Sequence, residues 1–148
     1  MLSTATRDEG DGAAVIVESL QADDQPHLRG KRILVVEDEF YIANDVYRLL
    51  KQAGAEVVGP VSSVEAAERV VDQAEFDCAV LDLNLHGQSA ICIADRLAAA
   101  GRAYVIATGY RSPSVPERLK HAPRIEKPFE PAALLSLIAQ ISCAQGIN

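Results

Sequence analysis

Ile33-Leu34-Val35-Val36-Glu37-Asp38 decides the fold: an aliphatic run, mostly β-branched, that stops abruptly on two carboxylates. The same pattern recurs three times downstream. Cys78-Ala79-Val80-Leu81 ends on Asp82, Tyr104-Val105-Ile106-Ala107 on Thr108, and Ile125-Glu126 on Lys127. A run that is apolar on both faces is what a buried parallel strand requires. If the four runs share one parallel sheet, their ends share one edge, where open α/β sheets build their sites. Three carboxylates, a hydroxyl and an ammonium would meet there.

The intervening segments read as helices. From Glu39 to Ala53, the residues Ile42, Val46, Leu49, Leu50 and Ala53 fall on one stripe, and Gly54 is placed to end it. Val57-Val58-Gly59 makes a short strand, and Ser63 suits the cap of a helix carrying Ala66, Ala67, Val70 and Val71. A strand over Phe76–Leu81 precedes a helix over Ser89–Ala100, and a strand over Ala103–Ala107 follows. Pro113, Pro116 and Pro123 then limit the next crossover to a short helix around Pro116–His121, because internal prolines remove donors and clash with the turn before them. A strand over Arg124–Glu126 leads to a last helix from Pro131 to about Cys143, with Leu134, Leu137, Ile138 and Ile141 on one face. Five alternations predict a flavodoxin-like, doubly wound α/β domain. Its five parallel strands take the order 2-1-3-4-5 in a three-layer sandwich, and its fourth helix is short or irregular.

Composition narrows the functions. The chain has 148 residues, 49% of them hydrophobic, which suits one domain with a sizeable core. Its net charge of −7 is uneven: residues 1–30 hold six acids and two bases. That stretch reads as an acidic, flexible N-terminal extension, and residues 31–148 as the folded domain. No basic stripe exists for nucleic acid, since phosphate neutralisation needs clustered Lys and Arg. No apolar stretch approaches the roughly 20 residues that cross a bilayer, and the start lacks a basic flank with an apolar core, so neither membrane nor secretion is expected. Cys78, Cys92 and Cys143 are widely spaced among aliphatic residues, which suits reduced packing thiols in a cytoplasmic protein.

Glu37, Asp38 and Asp82 would sit at the ends of neighbouring strands. At about 5 Å and an effective dielectric of ~20, each like-charged pair costs roughly 3 kcal/mol. A cation is the natural partner, and hard oxygen ligands in an incomplete shell suit Mg²⁺. Asp82 lies deepest and is the best nucleophile, because a carboxylate that attacks phosphorus gives an acyl phosphate. The Thr108 hydroxyl could then donate to a phosphoryl oxygen, and the Lys127 ammonium could neutralise its charge. Taken singly, Thr108 reads as a turn residue and Lys127 as a surface lysine. His86 reads as a solvated loop histidine.

Val35-Val36-Glu37-Asp38-Glu39, Leu81-Asp82-Leu83-Asn84-Leu85, Ala107-Thr108-Gly109-Tyr110 and Glu126-Lys127-Pro128-Phe129 together resemble the CheY-like receiver domain of two-component response regulators, over about residues 31–144. The resemblance implies that Asp82 accepts phosphate and that Glu37 and Asp38 hold Mg²⁺, with Asn84 adding its backbone carbonyl. It makes Thr108 the switch hydroxyl, Lys127 the phosphate-contacting lysine, and the Lys127–Pro128 bond cis. It also implies a kinase-docking surface on the first helix and the loop after Lys127. The chain departs from the common pattern in several places. Arg124 stands where many receivers carry an aromatic switch residue, leaving Tyr110 as a possible replacement; Gly109 replaces Ala, and His86 and Ala90 replace Pro and Gly. These departures resemble the "FAT GUY" receivers of alphaproteobacteria, with Ile106 in place of their Phe. That likeness implies a histidine kinase of the HWE class, or a phosphotransfer protein, as partner.

The expected function is a stand-alone response regulator in a phosphorelay, since the chain leaves no room for an output domain. It would act by conformational change or as a phosphate sink, as a monomer or weak dimer, and not as an enzyme. Two rivals use the same residues: a receiver that docks partners without phosphorylation, and a Mg²⁺-dependent phosphatase with an aspartate nucleophile. The phosphatase pattern places its nucleophile after the first strand with a second Asp two residues on, where this chain has Asn84. A flavodoxin-like nucleotide binder would need a Gly-rich or hydroxyl-rich loop after the first strand, where Glu37-Asp38-Glu39 would repel phosphate.

Overall fold

The computed structural model describes residues 27–109 and 115–147, with side chains through 142. Five strands form one parallel sheet: β1 (Arg32–Val36), β2 (Glu56–Val61), β3 (Cys78–Asp82), β4 (Ala103–Thr108) and β5 (Arg124–Glu126). Their spatial order is β2-β1-β3-β4-β5, the expected doubly wound arrangement. Four α-helices accompany them: α1 (Phe40–Gln52), α2 (Val64–Gln73), α3 (Ile91–Ala99) and α4 (Pro131–Ile147). The crossover from β4 to β5 carries a single 3₁₀ turn, Glu117–Leu119, in its described part. The short element expected among the prolines is therefore a turn of three residues.

Strand alternation sends side chains to opposite faces, and both faces are covered. Leu34, Val36, Ala79, Leu81 and Ile106 pack with Val64 and Ala67 of α2 and Ile93 and Leu97 of α3. On the other face Ile33, Val35, Val80 and Val105 pack with Val46 and Leu50 of α1 and Leu134 and Ile138 of α4. Each fully buried Leu or Ile contributes about 1.5–3 kcal/mol. Every residue of β3 is buried, which fixes its register against both neighbours. Core contacts reach back to Leu28, which is fully buried and donates its N–H to the Ala53 carbonyl. Residues 1–26 of the expected extension lie outside the described residues.

Local chemistry accounts for most boundaries. Ser63 Oγ accepts the Ala66 N–H at 3.1 Å, the expected cap of α2. The expected start of the third helix at Ser89 is corrected to Ile91, because Asn84–Leu85 and Gln88–Ser89 pair as a small antiparallel hairpin. His86 (φ 54°) and Gly87 (φ 81°) make its turn, and positive φ at both central residues matches the twist of a two-residue hairpin. Cys78 is buried and accepts a hydrogen bond from Ser142, whereas Cys92 is exposed rather than packed. The Cys143 side chain lies outside those described. Among the described residues no helix is long and apolar enough to cross a membrane.

Candidate functional site

β1 and β3 are paired neighbours in register from Ile33–Cys78 to Val36–Leu81, so Glu37 and Asp82 emerge side by side. Carboxylate oxygens of Glu37, Asp38 and Asp82 lie within 4.8 Å of one another. Glu37 is only 5% exposed and Asp82 6%, whereas Asp38 is half-buried. Lys127, from the end of β5, reaches across to them. Its Nζ lies 2.7 Å from Glu37 Oε1 and 2.9 Å from Asp82 Oδ2. The Lys127–Pro128 peptide bond is cis, as the resemblance implied.

Backbone donors hold the acids in place. The Glu39 N–H binds Glu37 Oε2 at 3.1 Å, and the Asn84 N–H binds Asp82 Oδ1 at 2.9 Å. The hairpin turn brings the His86 N–H to Asp38 Oδ2 at 2.9 Å, with His86 Nδ1 at 3.6 Å from the same oxygen. Asn84 Oδ1 accepts the Gly87 N–H at 2.9 Å, which braces the turn itself. The Glu37 N–H donates to the Val61 carbonyl at 3.0 Å. That carbonyl is positioned by an irregularity in the β1–β2 register, centred on Gly59 (φ 96°). A Cβ at Gly59 would stand 2.8 Å from Val61 N and 3.0 Å from Val35 O, so only glycine fits there.

Burial moves the Glu37 carboxyl up to about 7, against the opposing pull of the Lys127 hydrogen bond and charge. For Lys127, burial pulls the ammonium down, but hydrogen bonds to Glu37 and Asp82, and their charges, outweigh it and leave the group raised. A lysine buried between two acids therefore stays charged at neutral pH.

The five residues Glu37, Asp38, Asp82, Asn84 and Lys127 line one open cleft of about 660 Å³. Thr108 stands at the end of β4, one residue beyond the Asp82–Ala107 pairing. Its hydroxyl donates to the Ile125 carbonyl at 3.3 Å, toward β5. Tyr110 lies outside the described residues. Arg124, at the position of the missing aromatic, donates from Nη2 to the carbonyls of Leu119 and Lys120 at 3.2 and 3.4 Å. It thus binds the end of the 3₁₀ turn. Sequence reasoning missed the roles of Gly59, Val61 and the His86 backbone. Only the positive φ favoured by the Gly59 and Gly87 glycines hinted at them.

The donor set fits a hard divalent cation: three clustered carboxylates, no soft ligand among them, and an open face for water or a phosphate. Comparisons with known proteins agree. Residues 33–139 match the response regulator receiver domain family. The solution structure of SdrG from Sphingomonas melonis Fr1 is 34% identical, covers 78% of this chain and 95% of its own, and superposes with a TM-score of 0.66. The response regulator PhyR from Brucella abortus, at 24% identity and a TM-score of 0.67, covers 92% of this chain and 56% of its own, and shows the fold alone. The transcriptional regulatory protein PdtaR of Mycobacterium tuberculosis is 25% identical over 115 residues. Those residues are 77% of this chain and 56% of PdtaR, so the chain spans about half the length of its curated relative. The chain belongs to the response regulator receiver family.

Proposed function

We propose that this chain is a phosphorylation switch of a two-component phosphorelay, with Asp82 as the phosphoacceptor. The observation that carries it is the Asp82 carboxylate, which lines an acidic cleft 2.9 Å from a charged lysine. Glu37, Asp38, Asp82 and the Asn84 carbonyl would hold Mg²⁺, which would supply charge neutralisation for the phosphoryl group. A carboxylate oxygen of Asp82 attacks the phosphorus of a kinase or phosphotransfer phosphohistidine; the phosphorus–nitrogen bond breaks and the imidazole leaves. Lys127 offsets charge on the transferred group. The Thr108 hydroxyl leaves the Ile125 carbonyl for a phosphoryl oxygen, and that exchange biases β5 and the crossover before it.

Partner docking falls on the face beside the cleft. α1 begins with Phe40 and Tyr41, 73% and 79% exposed, in edge-to-face contact at 5.4 Å, and Phe129 lines the cleft. The run Ile106-Ala107-Thr108-Gly109-Tyr110 supports the "FAT GUY" subgroup and, through that resemblance, an HWE-class kinase. We assign the protein to the cytoplasm as a monomer or weak dimer, with residues 1–30 as an extension and 31–148 as the receiver. Its acidic charge gives nucleic acid no footing.

The test is intact mass after incubation with phosphoramidate and Mg²⁺. The wild type should gain one phosphoryl group, and Asp82→Asn none. No adduct with any donor or kinase would leave a docking module, an adduct on the variant would move the site, and turnover of many phosphate esters would make the protein a phosphatase.

A further inference from the structure

We infer that the His86-Gly87 turn is a backbone clamp on Asp38, which sets that carboxylate for the cation before any cation arrives. This rests on the metal site proposed above and names what positions one of its ligands. Asp38 is the least buried of the three acids. Without a cation, repulsion from Glu37 and Asp82 favours swinging it outward. Against that swing stands the His86 N–H, at 2.9 Å from Asp38 Oδ2. The donor lies 48 positions along the chain, so the bond ties the end of β1 to the hairpin that follows β3. The imidazole adds little, because its Nδ1 is 3.6 Å from the same oxygen, beyond hydrogen-bond length.

The turn holds this donor in an unfavourable conformation. His86 has φ 54°, the one positive value at a non-glycine among the described residues, and such a backbone persists only where its surroundings impose it. The hairpin pairs only Asn84 with Ser89 and Leu85 with Gln88, too little to impose the turn unaided. Side-chain and backbone bonds supply the rest. Asn84 Oδ1 accepts the Gly87 N–H at 2.9 Å, and the Asn84 N–H donates to Asp82 Oδ1 at 2.9 Å. Asp82, Asn84, the turn and Asp38 thus form one continuous set of bonds between the ends of β3 and β1. Proline, which the common receiver pattern carries at position 86, has no N–H to give, so the contact belongs to this chain's departure from that pattern. With Oδ2 held, Asp38 keeps Oδ1 for the cation. A ligand ordered in advance need not be ordered during binding, which tightens the metal.

Calorimetric titration with Mg²⁺ tests the clamp on the wild type, on His86→Gly, and on a chain in which an ester replaces the Leu85–His86 amide, so that an oxygen takes the place of the N–H. The ester chain should bind Mg²⁺ about tenfold more weakly. His86→Gly should stay near the wild type, because glycine keeps the N–H and accepts the positive φ. An ester chain with wild-type affinity would overturn the inference, and so would a loss in His86→Gly as large as that of the ester, which would pass the effect to the imidazole. A second readout needs no metal. The His86 amide proton should move upfield in Asp38→Ala while that of Asn84, bonded to Asp82, holds its place; an unmoved His86 resonance would contradict the clamp. Failure of the wild type to bind Mg²⁺ and to accept a phosphoryl group would sink the functional reading itself, whereas equal affinities of wild type and ester would sink only the clamp.

Discussion

The acidic end of the sheet and the β4–β5 crossover lie at adjoining strands, yet they are held by different physics. At the acidic end, β3 is wholly buried, and backbone N–H groups aim at each carboxylate. The described crossover is held at its surface. Arg118 makes a two-pronged ion pair with Asp95 of α3 at 2.9 Å, and Lys120 pairs with Glu117 at 3.1 Å. Leu119 anchors the 3₁₀ turn in the core, and the half-buried Val115 and Ala122 pack against the same cluster. Exposed ion pairs contribute little, whereas buried register and fixed donors resist deformation. In the proposed switch the difference would divide labour: a rigid end would keep chemistry in place, and a segment held by exposed ion pairs beside it would report a change.

The largest expected effect is at the rigid end. Gly59→Ala puts a methyl into the backbone of Val61 and Val35 and imposes an unfavourable φ, which should cost about 3 kcal/mol in urea unfolding. A loss below about 0.5 kcal/mol would mean that the register irregularity is soft and that Glu37 is not fixed by it.

Glu37→Gln should have a smaller effect, confined to a pH window. The Glu37 carboxyl is raised from 4.5 to about 7, so the folded state holds its proton more tightly than the unfolded chain. Without Mg²⁺, stability should therefore fall as pH rises from about 4.5 to about 7, by on the order of 1 kcal/mol, and Glu37→Gln should flatten that fall. A wild type that gains stability across the window would contradict the assignment.

Arg118→Ala should do least globally. The unfolding midpoint should barely move, while amide exchange at Leu119 and Ala122 quickens and that of β3 stays unchanged. Faster exchange in β3 as well would join the two regions into one cooperative unit.

The same contrast explains what the amino-acid sequence disclosed. β1, β3 and β4 were legible because buried parallel strands must be continuous apolar runs, and a polar residue that ends such a run declares the sheet edge. Glu37, Asp38, Asp82 and Lys127 could thus be brought together before any coordinates. The hairpin at Asn84–Ser89 was not legible, because two-residue strands carry no periodicity and His86-Gly87 is an uncommon turn pair. Leu28 was missed because one leucine in a polar stretch shows no pattern; its partner, the Ala53 carbonyl, lies 25 positions away. Arg118–Asp95 and Arg124 on the 3₁₀ turn were hidden for a similar reason: exposed charges have many possible partners, and only the fold selects among them.

Peptide mapping after borohydride reduction tests the central claim most directly, because reduction converts an aspartyl phosphate to homoserine where it stands. After phosphodonor and Mg²⁺, homoserine should replace the aspartate at position 82 and at no other carboxylate, and chelation of Mg²⁺ should abolish it. Reduction at Glu37, Asp38 or elsewhere, or labelling at 82 that ignores the metal, would contradict a magnesium-dependent phosphoacceptor at the end of β3.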